Sequence, residues 1–459
     1  MTQNSGIRTK PDKHCYTFKG FGTEKYPNFL LRGAGDLNNW RLGVYQEAHE
    51  GYQALRKALQ MAPGDIIGEI KSSGLRGRGG AGFSTGLKWS FIPQDTPEKK
   101  HTRYLVANAD EGEPGTFKDR AILEYNPHQL IEGMIIAAWA MQCRKGFIYF
   151  RGEFKWLIDK LDAAIKEARE AGYLGQNILG SGLDFDLDTF RGAGAYVCGE
   201  ETALLNSIEG RRGEPRQKPP FPAVKGAYGQ PTDVNNVETL ANVPVIMRIG
   251  ASAYSAIGAK NNTGTRLFGI SGHIKNPGLY ELPMGTPLRY LVETIGGGTL
   301  SGLPIKAIIP GGISTRVLTP ADLDTPMDFD SMKGAGSECG SGGVIVIDKS
   351  ACMVQAALRA IRFFAHESCG QCTPCREGCH WAEMILSRVE NGQGRNGDLE
   401  LLESLVSRIS AHTLCPLGDA ACGPLESILK KFRPEFEAHI KQGKCPNGGE
   451  SLLVKCQAV

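Results

Sequence analysis

The stretch Glu367-Ser368-Cys369-Gly370-Gln371-Cys372-Thr373-Pro374-Cys375-Arg376 decides how the whole chain is interpreted. Its three cysteines recur every third residue, but Gly370 and Pro374 between them argue against a helix through the whole stretch. Thiolates are soft ligands that suit iron and sulfide, and a short turn lets three of them converge on one cluster. The spacing therefore predicts an iron–sulfur loop, in preference to a zinc knuckle or a set of core thiols.

A [4Fe–4S] cluster needs a fourth ligand, and two cysteines compete for that position. Cys379 completes the C-x2-C-x2-C-x3-C spacing of bacterial ferredoxins, although His380 follows it where that motif has proline. In ferredoxins the fourth cysteine serves the other cluster of a pair, and this sequence has no second matching run. The alternative, Cys415, precedes Pro416 and follows two helical patterns that could fold back as a hairpin. This reasoning favours Cys415.

Length and composition indicate a globular protein of several domains in a reducing compartment. The 459 residues are enough for roughly two to four domains. A formal net charge of +3 gives no reason to expect binding to nucleic acid or to an anionic membrane. Thirteen cysteines, clustered in one region and otherwise isolated, fit metal ligation better than a secreted disulfide scaffold. Residues 1–13 resemble no signal peptide, and no apolar run is long enough to span a bilayer, so we expect membrane association only through partner proteins.

A glycine-rich loop runs from Gly77 to Trp89. Its glycines at 77, 79 and 82 satisfy G-x-G-x-x-G, but the dinucleotide fingerprint requires a strand directly before the loop. The sequence predicts a helix over 63–73 instead, so we reject a standard Rossmann site. Backbone N–H groups without side chains, followed by Lys88, still predict a phosphate-binding loop. A glycine-rich surface loop is the alternative.

Polar residues follow a predicted strand over 103–108. The segment Asn108 to Thr116 contains amide and carboxylate side chains, and open α/β sheets bind ligands beyond the carboxyl ends of their strands. A solvated acidic turn is the alternative. Helical patterns over 127–143 and 153–171 flank a strand pattern over 146–151, which indicates a layered α/β domain.

A second glycine-rich loop, Arg191 to Leu205, follows a predicted strand over 183–190. Glu200 and Glu201 lie where this loop opens a helix, so they could bind a ligand or simply favour the helix dipole. The prolines of the basic segment 211–222 make it extended and stiff. Asn235 and Asn236 offer amides to a heteroaromatic ring, or they cap a helix that begins near Val237.

The remaining regions are assigned from the periodicity of apolar residues and from the positions of glycine and proline. Residues 1–45 are expected to form an extended arm, and 261–264 a linker. A small α+β module is predicted with strands over 265–269, 278–281, 306–309 and 344–347 and a helix over 287–295. A helical bundle is predicted with helices over 353–364, 381–389, 398–409 and 425–432. Pro434 is expected to end the last helix, and residues 443–459 to form a loose tail.

Together these motifs resemble the NADH-binding flavoprotein subunit, of the F type, of NADH:quinone oxidoreductase (respiratory complex I). The resemblance covers residues 50–440 and rests on 77–89, 108–120, 192–203, 218–222, 234–238 and 367–376. It implies an FMN-binding α/β sandwich domain with an N-terminal arm over 1–260. It further implies a ubiquitin-like β-grasp module of the SLBB type over 261–348, and a C-terminal four-helix bundle carrying a [4Fe–4S] cluster over 349–459.

The resemblance also implies functional residues. Those expected to bind FMN are Gly77, Arg78, Gly79, Lys88, Asn108, Asp110, Glu111, Tyr196, Gly199, Glu200, Glu201, Val234, Asn235 and Asn236. Those expected to hold NADH are Phe83, Phe91, Glu113, Glu201, Lys218 and Phe221. The implied cluster ligands are Cys369, Cys372, Cys375 and Cys415. Glu113 and Glu201 are the residues expected to act in catalysis, by positioning, because the cofactors perform the chemistry.

The resemblance implies an electron-input protein that oxidises NADH through FMN and passes electrons singly to the cluster. Expected partners are a thioredoxin-like [2Fe–2S] subunit and a large iron–sulfur subunit of the peripheral arm. The expected location is cytoplasmic and peripheral on the inner membrane, or the matrix side in a mitochondrion. The nearest alternative is the diaphorase subunit of an NAD-reducing hydrogenase or an NAD-dependent formate dehydrogenase. A binding protein with a structural cluster is the alternative from another class.

Overall fold

A computed structural model describes residues 28–96 and 101–446. Its buried apolar residues form one core within an N-terminal α/β domain and another within a small mixed β domain. A further core joins the α/β domain to a C-terminal helical bundle. This architecture confirms the predicted fold class. Residues 1–27 of the predicted arm and 447–459 of the predicted tail lie outside the described residues.

The α/β domain contains a four-stranded sheet and the helices around it. The strands are β1 (Tyr104–Ala109), β2 (Lys145–Phe150), β3 (Asp186–Arg191) and β4 (Thr232–Asn236). The helices before β2 are α1 (Leu42–His49), α2 (Gln53–Ala58), α3 (Pro63–Ser72), α4 (Thr85–Trp89), α5 (Asp119–Tyr125) and α6 (Pro127–Met141). Those that follow are α7 (Lys155–Glu170), α8 (Glu201–Ile208), α9 (Pro222–Lys225), α10 (Val237–Ile249) and α11 (Ala251–Ser255).

The sheet is parallel throughout, in the order β3-β2-β1-β4. Helix α6 begins at Pro127, whose fixed φ suits a first helical position, and nearly all of its residues are buried. It packs closely on α10, because a Cβ atom added at Gly133 would lie 2.1 Å from the Leu240 carbonyl oxygen. Burial of each large aliphatic side chain stabilises such a layer by about 1.5–3 kcal/mol.

The predicted extended arm, 1–45, is wrong for residues 42–45, which form the first half of α1. Tyr45 on this helix is buried, and its hydroxyl donates a hydrogen bond to Glu132 at 2.5 Å. The backbone N–H of Leu55 donates to the other oxygen of the same carboxylate at 2.9 Å. A buried acceptor on α6 therefore binds these N-terminal helices to the domain, which sequence periodicity did not indicate.

The small domain is built on a mixed sheet of order β8-β7-β10-β9. Its elements are β5 (Gly258–Ala259), β6 (Asn262–Thr263), β7 (Thr265–Gly272), β8 (Gly278–Pro283), β9 (Ile305–Ile309), α12 (Phe329–Gly334) and β10 (Gly343–Asp348). The predicted helix over 287–295 is a single wide turn over Tyr290–Ile295. The predicted linker 261–264 is instead part of a β5–β6 hairpin, in which Asn262 and Thr263 are buried.

The bundle contains α13 (Met353–Glu367), α14 (Thr373–Glu390), α15 (Asp398–Ile409) and α16 (Leu417–Gln442). The expected stop at Pro434 is wrong, because α16 continues past it with a kink at Phe432 (φ −126°, ψ 23°). Proline inside a helix kinks it when packing holds both halves, and Phe436 beyond the kink is fully buried. No helix among the described residues has the length and apolar composition needed to cross a bilayer.

Candidate functional site

The site lies at the carboxyl ends of β1 and β4. Asn108 near the end of β1 pairs with Asn236 at the end of β4. After β1 the chain crosses to β2 on one side of β1, whereas β4 lies on the other side. The segments that follow β1 and β4 therefore diverge and leave a crevice between them. This is where polar residues after a strand were expected to meet a ligand.

A cavity of about 390 Å³ occupies this crevice. Its lining includes nine of the residues predicted to bind FMN or NADH, namely Gly79, Asn108, Asp110, Glu111, Glu113, Tyr196, Gly199, Glu200 and Asn236. Residues that the sequence did not single out also line it, including Thr116, Lys118, Asp119, Ser314 and Ser341. The last two come from the small domain, so its loops close one side of the cavity.

The first glycine-rich loop forms one wall. Its ends are held together by a hydrogen bond of 2.8 Å from the Gly77 N–H to the Phe83 carbonyl and by a bridge between Arg76 and Ser84. A Cβ atom at Gly79 would lie 3.1 Å from Cβ of Asn236, so the absence of a side chain leaves room for a ligand. The preceding element is α3, which agrees with the rejection of a Rossmann fingerprint.

The guanidinium group of Arg78 lies away from the cavity. It is fully buried and donates hydrogen bonds to the carbonyls of Thr263 (2.7 Å) and Thr265 (3.1 Å). One nitrogen, Nη2, makes both of these hydrogen bonds and so binds the small domain to the loop. Nε and Nη1 are buried without a partner in the described structure, and the contact of Arg78 with FMN stays a prediction.

Asp110 carries the clearest sign of a ligand site. Its side chain is buried, and its Oδ1 atom has no hydrogen-bond partner in the described structure. Burial raises the pKa of this carboxyl to about 8. A buried acceptor without a partner is costly, so a ligand with hydroxyl groups would satisfy it. The residues present therefore fit the polyhydroxyl chain of FMN.

Glu113 is fixed from two sides. Its carboxylate accepts hydrogen bonds from the Tyr196 hydroxyl and from the Ser314 N–H, both at 2.7 Å. Burial raises its pKa despite these hydrogen bonds. Glu113 is thus a positioned group on the cavity wall, but no proton transfer is required of it.

Lys118 is the cation that sequence reasoning missed. Its ammonium group lies 2.8 Å from both Asp119 and Glu238 and donates to Oδ1 of Asn236 at 3.2 Å. Burial lowers its pKa, but the two carboxylates more than offset this, so the pKa is raised and the lysine stays charged. Lys118 was missed because the run Phe117-Lys118-Asp119 forms no recognisable motif. It does lie within residues 108–120, one of the segments on which the family resemblance rests.

A separate charged group lies beside α8. Glu201 is 3.2 Å from the ammonium of Lys88 and 3.0 Å from that of Lys218. Burial raises the pKa of Glu201, but the two lysines more than offset this and lower it overall. Lys88 also donates to the Val234 carbonyl at 2.5 Å and does not line the cavity. The structure thus places two cations, rather than Lys218 alone, beside Glu201.

Glu200 has the capping role that was the alternative to ligand binding. Its carboxylate accepts hydrogen bonds from the N–H groups of Thr202 (2.8 Å) and Ala203 (2.9 Å) and so caps α8. Lys218 binds its other oxygen at 2.8 Å. Glu200 also lines the cavity, so capping and a ligand-facing position coexist in one residue.

The three aromatic residues predicted to hold NADH lie at the surface. Phe83, Phe91 and Phe221 are 50%, 53% and 58% exposed. The rings of Phe83 and Phe91 pair with their centroids 6.3 Å apart. A flat base that covered these rings would gain binding energy. Their role in binding NADH stays a prediction.

The predicted cluster cysteines meet where three bundle helices begin or end. Cys369 and Cys372 lie in the turn after α13, Cys375 in the first turn of α14, and Cys415 directly before α16. Cys415 also lines the cavity described above, together with Pro416 and Leu417. The cysteine loop and the crevice therefore share a wall.

The competing ligand, Cys379, lies one helical turn beyond Cys375. It is fully buried in the apolar interior of the bundle, whereas Cys415 is partly exposed. Sulfurs on one tetrahedral zinc ion are about 3.8 Å apart. Among the residues that the structure describes, the group of potential ligands lying within 4.8 Å of one another is elsewhere in the bundle. The predicted quartet is therefore not arranged around a single zinc ion in the described structure.

The pKa of Asp110 gives a first prediction. Its carboxyl binds a proton more readily in the folded protein, with a pKa of about 8, than in the unfolded chain, with a pKa of about 3.9. The free energy of unfolding of the FMN-free protein should therefore fall as pH rises from 5 to 8. Asp110→Asn should remove up to about 1.4 kcal/mol per pH unit from that slope. Urea titrations at each pH measure it, with exposed Asp159→Asn as the control. Equal slopes in wild type and Asp110→Asn would contradict the prediction.

Fold and site together define an iron–sulfur flavoprotein, with a crevice for a flavin nucleotide beside a cysteine loop. Comparison with known families agrees. Residues 70–245 match the Nuo51 FMN-binding domain, residues 267–312 the SLBB domain, and residues 355–439 the NADH-ubiquinone oxidoreductase-F iron-sulfur binding region. The predictions of FMN and a [4Fe–4S] cluster are confirmed at this level.

Curated relatives identify the particular family. The chain is 54% identical to an F-type subunit of NADH-quinone oxidoreductase from Rhizobium meliloti, over 91% of this chain and 98% of the relative. It is 52% identical to the F-type subunit of NADH-quinone oxidoreductase from Escherichia coli, over 85% of this chain and 88% of the relative. The chain belongs to the family of F-type NADH-quinone oxidoreductase subunits, which confirms the resemblance.

A solved structure of another enzyme is also similar. A chain of NAD+-reducing [NiFe]-hydrogenase superposes with a TM-score of 0.76 at 37% identity, covering 85% of this chain. This chain spans 64% of the length of that hydrogenase chain. The diaphorase alternative therefore shares the fold.

Proposed function

We propose that this chain is the electron-input subunit of an NADH:quinone oxidoreductase. It oxidises NADH by hydride transfer to FMN and passes electrons singly to a [4Fe–4S] cluster. One observation carries the proposal: the cavity that holds the unpartnered Asp110 oxygen is also lined by Cys415. The two cofactor sites are thus adjacent within one chain.

Bound FMN supplies the capacity to take up a hydride and to release electrons one at a time. The chain's own residues bind the flavin and orient it. Asp110 accepts hydrogen bonds from hydroxyl groups, and the first glycine-rich loop lines the cavity at Gly79, where there is no side chain. Lys118 places a positive charge at the base of the crevice, and it fixes the Asn236 amide by donating to its oxygen.

The nicotinamide nucleotide is assigned to the outer part of the site. Phe83, Phe91 and Phe221 offer exposed rings on which an adenine can stack. We assign Glu201, which lies between two lysines, to the ribose, and Glu113, which lines the cavity, to the inner part of the nucleotide. Both carboxylates act by positioning, since hydride transfer needs no protein acid or base.

We assign the three domains the ranges 1–260, 261–348 and 349–459. Because the relatives are named as subunits, this chain has partner subunits. We propose that they include a thioredoxin-like [2Fe–2S] subunit and a large iron–sulfur subunit, which hold the chain at the cytoplasmic face of the inner membrane, or at the matrix side in a mitochondrion.

The second candidate function is the diaphorase subunit of an NAD-reducing hydrogenase, which the similarity to the hydrogenase structure favours. Identifying the subunits that co-purify with the chain distinguishes the two functions. A quinone-reductase partner set supports the first proposal, and a [NiFe] subunit contradicts it.

The enzymatic function itself is tested by visible absorption spectroscopy. The purified chain, loaded with its cofactors, should show a flavin absorption band that bleaches when NADH is added. A protein that binds its cluster normally but neither retains flavin nor responds to NADH would be a binding protein with a structural cluster. That result would overturn the proposed function.

A second prediction concerns the choice between NADH and NADPH. A 2′-phosphate adds about 1.5 to 2 negative charges, which the Glu201 carboxylate repels. Glu201→Gln removes that repulsion and leaves Lys88 and Lys218 without this carboxylate, so both effects favour the extra phosphate. The ratio of kcat/KM for NADPH to that for NADH should rise about tenfold or more, equivalent to about 1.4 kcal/mol. Steady-state ferricyanide reduction with each nucleotide measures it.

Glu113→Gln is the comparison for that experiment. Its carboxylate is held by Tyr196 and Ser314 on the cavity wall, so we expect its replacement to change the rates with both nucleotides together. If the ratio stays at its wild-type value in both variants, repulsion does not set the preference, and the shape of the pocket does.

A further inference from the structure

A second group of potential metal ligands lies in the helical bundle, away from the cysteine loop. Cys352, Glu390, His439 and Cys445 each offer one ligand atom, and these atoms all lie within 4.8 Å of one another. Cys352 precedes α13, Glu390 ends α14, His439 is near the end of α16, and Cys445 follows it. Four residues far apart in sequence thus converge on one point.

This group and the cluster cysteines occupy opposite ends of the same helices. Cys369 follows the end of α13, Cys375 lies in the first turn of α14, and Cys415 precedes α16. Helix α14 has 18 residues and so extends about 27 Å from one end of the bundle to the other. The second group is therefore separate from the electron-transfer site.

The distances within the group suit a tetrahedral ion. The Cys352 sulfur lies 3.4 Å from Nε2 of His439 and 3.8 Å from Oε2 of Glu390, and these last two atoms are 3.5 Å apart. Zinc bonds of about 2.0–2.3 Å to sulfur, nitrogen and oxygen imply ligand separations of about 3.4–3.8 Å. These three separations need almost no change to accept the ion, and the Cys445 sulfur lies within 4.8 Å of each of the three atoms.

The histidine is already oriented as a ligand. Its Nδ1 atom lies 2.7 Å from the Glu435 carbonyl, which assigns the proton to Nδ1 and leaves the lone pair of Nε2 facing the group. Metal-bound histidines are held in this way by a carbonyl behind the ring. The Glu435 side chain is fixed in turn by Lys306 at 2.6 Å and the Met353 N–H at 3.1 Å.

Cys352 is held in place by the start of a helix. It caps the N-terminus of the 15-residue helix α13, and its sulfur accepts a hydrogen bond from the Gln355 N–H at 3.5 Å. Cys352 and His439 are each only 1% exposed, whereas Glu390 and Cys445 are partly exposed.

We propose that Cys352, Glu390, His439 and Cys445 bind one zinc ion as a closed, structural site. Two thiolates, one imidazole and one carboxylate complete four-coordination, which leaves no position for a substrate. The ion fastens the segment after α16 to the start of α13 and the end of α14. A hydrogen-bonded group without metal and a Cys352–Cys445 disulfide are the competing states of these residues.

The test uses the full chain carrying its flavin and cluster, purified without chelators. Elemental analysis should find one zinc per chain in addition to the cluster iron. Cobalt(II) exchanged into the site should give a thiolate-to-cobalt charge-transfer band and the visible bands of tetrahedral coordination. Both should be lost in Cys445→Ser, a replacement in the partly exposed segment after α16, and in Cys352→Ser.

Cys143→Ala is the matched control, because it removes a buried thiol of the α/β domain and should keep zinc and the cobalt spectrum. The [4Fe–4S] EPR signal should persist in Cys445→Ser, which separates this site from the cluster. Wild-type protein that binds neither zinc nor cobalt under reducing conditions would overturn the proposal. So would mass spectrometry showing a Cys352–Cys445 disulfide in the zinc-free native protein, or zinc retained at wild-type stoichiometry in Cys445→Ser.

Discussion

Cys415→Ser is expected to destroy or convert the [4Fe–4S] cluster, with essentially complete loss of its EPR signal in dithionite-reduced protein. Serine replaces a soft thiolate by a hard oxygen that binds iron–sulfur clusters poorly. Cys415 is partly exposed on the wall between the cysteine loop and the cavity, so it can reach a cluster held by the other three cysteines.

Cys379→Ser is the matched comparison and should leave the signal intact. Cys379 is fully buried among apolar bundle residues, so the substitution costs stability through an added polar group and does not remove a ligand. Circular dichroism and iron content of each variant separate misfolding from ligand loss. An unchanged signal in Cys415→Ser would show that another residue is the fourth ligand.

Gly79→Val should abolish retention of FMN. The first carbon of the new side chain would lie 3.1 Å from Cβ of Asn236, and the branched methyl groups would occupy space beside the loop N–H groups. These are the groups that would otherwise approach a phosphate. We expect flavin per chain to fall at least about tenfold, which corresponds to about 1.4 kcal/mol or more of lost binding.

Gly64→Val provides the control for that experiment. Gly64 lies in the first turn of α3, and a Cβ atom there meets nothing within 4 Å. It should not destabilise the helix, because valine has a higher helix propensity than glycine. Flavin content, measured by absorbance of the supernatant after denaturation, should stay unchanged. Normal flavin stoichiometry in a folded Gly79→Val protein would contradict the phosphate-binding role of the loop.

The sequence was most informative where chemistry constrains spacing. Three cysteines at fixed intervals predicted the loop between α13 and α14, and the polar run after β1 predicted the crevice. Strand patterns located seven of the eight strands in the two four-stranded sheets to within a few residues, whereas β4 was not predicted. Resemblance to a family then supplied residues such as Tyr196, which carries no local signature of its own.

Other features depend on contacts between distant segments and could not be inferred locally. Lys118 is a buried cation only because Asp119 and Glu238 face it, and Glu238 is remote in sequence. The inward turn of the Arg78 side chain depends on carbonyls of the small domain. Pro434 is typical of a helix stop, yet tertiary packing carries α16 past it.

The set of charged groups around Glu201 also depends on distant segments and could not be inferred locally. The sequence placed Lys218 beside it through the resemblance and assigned Lys88 to the phosphate loop. The structure brings both ammonium groups to within 3.2 Å of this carboxylate. Replacement of the Glu201 carboxylate is therefore expected to favour a 2′-phosphate in two ways. It removes a repulsive charge, and it frees two ammonium groups to attract the phosphate.

The most direct test of the central claim is anaerobic reduction of the cofactor-loaded chain by NADH. Flavin absorbance and the low-temperature EPR of the cluster are recorded on the same sample. If one chain joins the NADH, flavin and cluster sites, then NADH bleaches the flavin and produces the signal of the reduced cluster. The account would be contradicted if dithionite reduces both the flavin and the cluster but excess NADH leaves both of them oxidised.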